Sequence, residues 1–490
     1  MSYACNHASS VSDHASHYFA PAANRLHSRG AEMRATLLMI GLGAFVTTLD
    51  NTIVAAGAPS LARELGLDLP TLQWVSIGYM LPFAGLLPVA GTLVDRWGQA
   101  ATLRAGLLAF GAGAAVGGFA TTAWLVIAAR ILQGAAAAFL VPALLSLLRT
   151  DLDARRRAVG ATVWTACLAV ALALGPTLGG VLSEYLGWGW IFFVNLPFVA
   201  AMLMLVRRVA LAERDPATGR PAVLSMLVVT TAMVLVTAAV VELSAVLCAA
   251  GTAFAIWFVV RERRARVRLV PAALTGTRVF TGALTVQLLW GLGVSGVFFF
   301  TPLLHQESLG LGPMLAGLPL VVVAVAVVAA TPLVPWAVPR WGPHRTVAVG
   351  LATVAAGLLA LAAVNHLPEI PPRIPGLVLI GAGSALTTPL TSYALEIVAE
   401  RHAGTASGLL TASRELSSAL GVALIGVVLS VVRTARLDEG AAAALADGYT
   451  AGLLTAAALQ LAGALLALRL LNPRSSSRSD KPGAPFLTSR

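Results

Sequence analysis

"DRWGQAATLRAG" (95–106) and "PRWGPHRTVAVG" (339–350) are two versions of one phrase, 244 residues apart. Trp97–Gly98 matches Trp341–Gly342, and Gly160 matches Gly404 at the same offset. Each match falls between corresponding apolar runs, the first after the second run and the other at the opening of the fifth. A shared offset of this kind predicts a duplicated unit. The chain is then two six-helix halves with extra material between them.

The surroundings of the phrase say what kind of helices these are. The 490 residues are 58% hydrophobic and 11% charged, against about 45–50% and about 25% in soluble domains. A helix needs about 20 mostly apolar residues to cross a bilayer. Such runs occupy 34–56, 72–93, 103–122, 124–148, 158–182, 190–206 and 222–242, then 244–260, 280–304, 315–338, 346–364, 375–399, 405–432 and 449–471. The expected fold is therefore an all-α membrane protein of fourteen transmembrane helices. It divides into a disordered tail 1–32, a bundle 33–208, a linker and helix hairpin 209–268, a bundle 269–472 and a second tail 473–490. The segment 222–260 reads either as a hairpin turning at Glu242–Leu243–Ser244 or as one buried re-entrant element.

Charge placement supports an even count. With the N-terminus in the cytoplasm, the inside loops carry Arg96, Arg104, Arg149, Arg155 to Arg157, Arg207, Arg208, Arg214, Arg220, Arg261 to Arg278, Arg340, Arg345 and Arg401. The outside loops hold only Arg63, Arg373, Arg433 and Arg436. Positive residues favour the cytoplasmic side, so both termini are expected inside, in a multi-pass protein of the inner membrane.

Several function classes fall away. The net charge of +11 forms no basic face, so nucleic acid is not an expected partner. Lysine occurs once, at Lys481, which reflects a GC-rich bacterial genome rather than binding chemistry. Cys5, Cys167 and Cys248 have no metal spacing, and neither do His7, His14 and His17. No metal or cofactor is expected, nor a cleavable signal peptide. The loops hold no HExxH, no P-loop and no nucleophile–base pair, which argues against an enzyme and against direct ATP coupling.

"GTLVDRWG" (91–98) contains Gly91, Asp95, Arg96 and Gly98, and resembles the loop signature G-x-L-x-D-R-x-G of the major facilitator superfamily. The usual basic continuation is replaced by Gln99, Ala100 and Ala101, and Pro339 replaces the acid in the second copy. "ARILQGAAAA" (129–138), with Arg130 and Gln133, is similar to the R-x-x-Q-G motif, whose arginine is linked to proton movement. "LGPTLGG" (174–180), with Gly175, Pro176, Gly179 and Gly180, resembles the G-P-x-x-G-G motif associated with antiporters. "WGWIFFVNLP" (188–197), "PLLHQESLGLGPMLAGLPL" (302–320) and "GTASGLLTASRELSSALGVAL" (404–424) resemble the fourteen-span drug/proton antiporter subfamily. Gly189 and Glu415 depart from its usual arginine and glutamine.

"TTLDNTIVAAGAP" (47–59) places Asp50 about 15 residues into the first span, roughly 22 Å from the inner surface. An ionised carboxylate facing lipid there would be very unfavourable. It must meet a water-filled cavity, a proton, or a partner such as Arg130. The stretch resembles the subfamily's first-span acid motif. The resemblance implies export of hydrophobic small molecules (drugs, antiseptics or antibiotics) by a monomer, with protons as the counter-substrate. Asp50 and Arg130 would couple the two movements as two gates alternate. Import of a metabolite, and a sensor or scaffold, are the competing readings. Candidate cavity residues are Gln73, Trp74, Tyr79, Gln133, Gln287, Trp290, Thr387, Thr391, Tyr393, Glu396, Arg414 and Glu415.

Overall fold

Hydrocarbon offers the backbone no hydrogen-bond partner, so a spanning segment must satisfy itself as a helix. The structure, a computed structural model, describes residues 32–147, 156–209, 211, 222–265, 268–399 and 402–472. The expected tails, apart from Glu32, and Arg149, Arg155, Arg214, Arg220, Arg266 and Arg401 lie outside the described residues.

Each apolar run forms a helix. The first half comprises α1 (Glu32–Leu65), α2 (Leu69–Trp97), α3 (Gln99–Gly118), α4 (Ala123–Ser146), α5 (Arg156–Tyr185) and α6 (Trp190–Leu205). A hairpin of α7 (Val223–Val241) and α8 (Ala245–Arg264) follows. The second half comprises α9 (Arg278–Ser308), α10 (Pro313–Trp341), α11 (Pro343–Val364), α12 (Pro371–Glu396), α13 (Ala403–Ala435) and α14 (Ala441–Leu470). Thirteen are long and apolar enough to cross a membrane, and α6 is shorter. Leu108, Trp124 and Val246 are among many large apolar side chains left exposed on the outer surface. Patches of that extent belong in lipid. The protein is a multi-pass membrane protein.

The segment 222–260 is a hairpin of two helices that turns through Leu243 at a φ of 49°. α7 packs on α2 and α13, whereas α8 packs chiefly on α7. Two boundaries differ most from the sequence reading: α1 runs on to Leu65 rather than 56, and the start of α14 moves. α14 begins at Ala441 rather than 449, taking Asp447 into the helix. Arg436 pairs with that carboxylate at 2.7 Å, and His366 Nε2 lies 3.6 Å from it, which lets a polar turn join an apolar helix.

The duplication is visible in the packing. The halves meet along two seams, α2 against α13 and α5 against α10. The 244-residue offset maps α2 onto α10 and α5 onto α13, so each seam is the other's image under a pseudo-two-fold axis. Arg63 and Glu307 are separated by that same offset and touch at 3.3 Å. Symmetry mates that touch lie at the axis. Both phrase copies also end their helices alike, with Gly98 at φ 87° and Gly342 at φ 77°, a backbone region that favours glycine.

Polar contacts that join the halves cluster at the end of the bundle opposite α1's start. Arg63 donates to Gln306 at 2.8 Å, and the Met314 backbone N–H donates to Glu184 at 2.9 Å. Glycine permits the closest approach there. A Cβ on Gly180 would lie 2.6 Å from Met314 Cα, and one on Gly317 2.7 Å from the Pro176 carbonyl. The far end is thus closed.

Within the first half, α2 and α4 approach where a Cβ on Gly134 would strike the Tyr79 carbonyl, whereas one on Gly91 would meet nothing within 4 Å. Gly134→Val should therefore lower stability by about 1–3 kcal/mol through overpacking. Gly91→Ala should leave it unchanged. Thermal unfolding of the purified variants in detergent checks both.

Candidate functional site

Asp50 sits on α1 deep in the first half, with no exposed surface. Arg130 and Gln133 stand three residues apart on α4, the spacing that puts two side chains on one helical face. Arg130 Nη1 donates to Asp50 Oδ2 in a fully buried ion pair. Gln133 Nε2 donates to Asp50 Oδ1 at 2.8 Å. Asn195 Nδ2 donates to the same oxygen, also at 2.8 Å.

Asn195 arrives there because α6 is interrupted. Its two parts, Trp190–Phe193 and Asn195–Leu205, meet at Val194. Pro197 has no N–H to continue the ladder across that junction. The Asn195 side chain also donates to the Phe192 carbonyl at 3.3 Å, so one amide serves both the helix break and the carboxylate.

Arg130 is held by several further contacts. Its Nε donates to the Val75 carbonyl at 3.2 Å and its Nη1 to Gln133 Oε1 at 3.1 Å. Its guanidinium lies 4.4 Å from the centre of the Tyr79 ring, a favourable cation–π distance. The Tyr79 hydroxyl donates to the Thr47 carbonyl at 3.4 Å. Arg130 Nη2 and Asn195 Oδ1 are buried without a partner. An ionised Asp50 receives three donors in this arrangement, and a proton cannot reach it unless α1 and α4 part.

The structure distributes the other candidate residues unevenly. Gly175 and Gly179 lie against α1, where a Cβ on Gly179 would come 2.5 Å from the Ile53 carbonyl, and Gly180 faces α10. The motif glycines therefore serve two different interfaces of one helix, and Pro176 lies between them. Gln73 is committed to the α2–α13 seam, donating to the Val422 carbonyl at 2.8 Å. Trp74 Nε1 reaches Glu242 at 3.3 Å and ties α2 to the inserted hairpin. Tyr393 donates to the Leu471 carbonyl at 3.3 Å, joining α12 to the end of α14. Thr387 donates within its own helix to the Ser384 carbonyl at 2.7 Å. Thr391 and Glu396 are exposed. Gln287 is buried and Trp290 half-buried on α9, with the indole N–H unpartnered.

A cavity of about 230 Å³ opens between α2, α4 and α13 toward the end that holds the termini. Gly91, Asp95, Pro142, Ser407 and Thr411 are among its lining residues. A second cavity, of about 330 Å³, lies at the far end around Arg63, Leu72, Glu307 and Arg433. Two turns beyond Ser407, Arg414 pairs with Glu415 through Nε at 3.3 Å and Nη2 at 3.1 Å. Asn195 is the site residue that motif reading did not single out. Its signal was an amide immediately before a proline-containing turn, inside an apolar run.

The comparisons with known proteins agree with this architecture. Residues 40–422 match the family model of the Major Facilitator Superfamily. The puromycin resistance protein pur8 of Streptomyces alboniger is 31% identical over 92% of this chain and 94% of its own. The multidrug efflux pump LfrA of Mycolicibacterium smegmatis is 31% identical over 82% of each chain. The cephamycin export protein CmcT of Amycolatopsis lactamdurans is 32% identical over 93% of this chain and 96% of its own. Among solved structures, a peptide transporter in complex with sulfate aligns at a TM-score of 0.69 with 14% identity, covering 90% of this chain and 94% of that one. The chain belongs to the Major Facilitator Superfamily of membrane transporters. Its relatives are antibiotic and multidrug exporters, which places it with the drug-exporter members.

The buried pair makes a sharp demand on stability. Removing one partner strands the other charge, which costs about 3–5 kcal/mol. Arg130→Gln should lower thermal stability by about that much, and so should Asp50→Asn. The double variant should recover a large part of the loss, because neither charge then remains. A double-mutant cycle on thermal unfolding in detergent measures the coupling directly.

Proposed function

We propose that the protein exports hydrophobic small molecules across the cytoplasmic membrane in exchange for protons, by alternating access. The observation that carries the reading is the sealed Asp50–Arg130 pair joined to Gln133 and Asn195. A charged constellation with no exposed surface is expensive in a membrane protein, and such groups mark ion or proton pathways. The names of the relatives supply the substrate class: antibiotics and multidrug compounds.

The arginine distribution supports cytoplasmic termini. The closed far end then faces outward, and the 230 Å³ cavity opens to the cytoplasm. Substrate enters from that side or from the inner leaflet. Separation of the halves at the far end and closure at the other would present it outside. A proton reaching Asp50 in the outward-open form converts an acceptor of three hydrogen bonds into a neutral acid. That releases Arg130 from its counter-ion and weakens any cationic or donor group held nearby. Return to the closed-outside form restores the pair and expels the proton inward. The close contacts of Gly180 with α10 and of Gly175 and Gly179 with α1 favour tight outer closure between turnovers, which limits proton leak. The protein acts as a monomer, with the proton gradient as its only energy source and no cofactor.

In a pump-deficient bacterial host, wild type should expel ethidium and stop when an uncoupler collapses the proton gradient. Asp50→Asn should abolish efflux at normal expression, and Asp50→Glu should retain a fraction. Raising the external pH toward the internal value should slow wild-type efflux. Undiminished efflux by Asp50→Asn would end this mechanism.

A further inference from the structure

The second half contributes a carboxylate that the Asp50 mechanism leaves unused. Glu415 lies on α13 with its side chain 6% exposed, beside Arg414 at 51%. Ser407, Thr411, Arg414 and Ser418 recur at helical spacing along one stripe, and the first two line the cavity that opens toward the termini. The exposed guanidinium at mid-helix continues that wet face. Lipid would not leave a charge so placed unsolvated.

Register fixes what stands opposite. α2 and α13 run antiparallel, with Gly408 beside Pro88 at one level and Val422 bonded to Gln73 at another. Glu415, midway between, falls level with Met80 and next to Tyr79. Tyr79 feels the charges of Asp50 and Arg130 on its own half and of Glu415 and Arg414 on the other. One tyrosine therefore stands between two ion pairs, one from each half. Among the described residues, α12 also packs on α13 and carries Tyr393, which bonds the Leu471 carbonyl at the end of α14, and Glu396, which is exposed. α7 contains no titratable side chain, and neither α9 around Gln287 nor α14 around Gln460 brings one to this level.

The two pairs differ in what protonation would cost. A proton on Asp50 leaves Arg130 charged with no exposed surface. A proton on Glu415 leaves Arg414 half in water, where its charge remains solvated. In this conformation the carboxylate whose partner stays solvated is in the second half.

We propose that Glu415 is a second proton-binding site, exchanging with the compartment to which this conformation opens while Asp50 is sealed. The inference deepens the proton-coupled reading and rests on it. Glu415 takes the proton from cavity water, Arg414 turns its guanidinium toward that water, and no other group changes charge. The carrier then has one titrating carboxylate per half, with Tyr79 between them.

Proton uptake by purified full-length protein tests the inference without any substrate. A lightly buffered sample is stepped from neutral to mildly acidic pH, and an indicator dye counts the protons bound. Glu415→Gln should bind about one proton per chain fewer than wild type. Glu415→Asp and Asp50→Asn should bind as many as wild type. Uptake by Glu415→Gln equal to wild type would overturn the proposal. Since no dye or drug is transported, a wrong export assignment would show only in the efflux assay and would leave this count standing.

Discussion

Hydrocarbon neither donates nor accepts a hydrogen bond, and every polar feature of this protein answers to that constraint. The backbone answers with helices. The side chains answer by pairing inside the protein: Asp50 with Arg130, Gln133 and Asn195, Gln73 with the Val422 carbonyl, and Asn365 with the Ala446 carbonyl at 2.8 Å. Arg414 also pairs, with Glu415, but is half exposed.

Because hydrocarbon gives helices no hydrophobic reason to associate, close packing must hold them together. Glycine does this where the two halves meet. Gly180 and Gly317 bring α5 and α10 to backbone contact at the far end. The Arg63–Glu307 pair at the axis is exposed, and pairs of that kind contribute little stability. A tight but weakly bonded seam can open without breaking a core, which suits two halves that rock about an axis. The pocket between α2, α4 and α13 is the complementary opening.

Buried charge divides the labour differently. The Asp50 cluster stitches α1, α4 and α6 of one half into a unit, so that half moves as a body. The Arg414–Glu415 pair lies on a single helix and ties nothing to its neighbours. One pair has no exposed surface, while the other keeps a half-exposed cation.

The amino-acid sequence by itself determined the number of helices and the duplication, and it singled out Asp50 and Arg130 as costly charges that the structure pairs. Apolar run length, a shared offset and a costly charge are local or periodic signals, and they survive without coordinates. It also placed most helix ends within a few residues, failing at the end of α1 and at the start of α14, where Asp447 depends on Arg436 eleven positions away. Only tertiary structure decided that Asn195 completes the Asp50 site, that Gln73 and Trp74 serve seams, and that Arg414 is wet while Glu415 is covered. Those outcomes depend on which face of one helix meets which level of another. That register is set by packing among segments hundreds of residues apart, and composition and spacing carry no record of it.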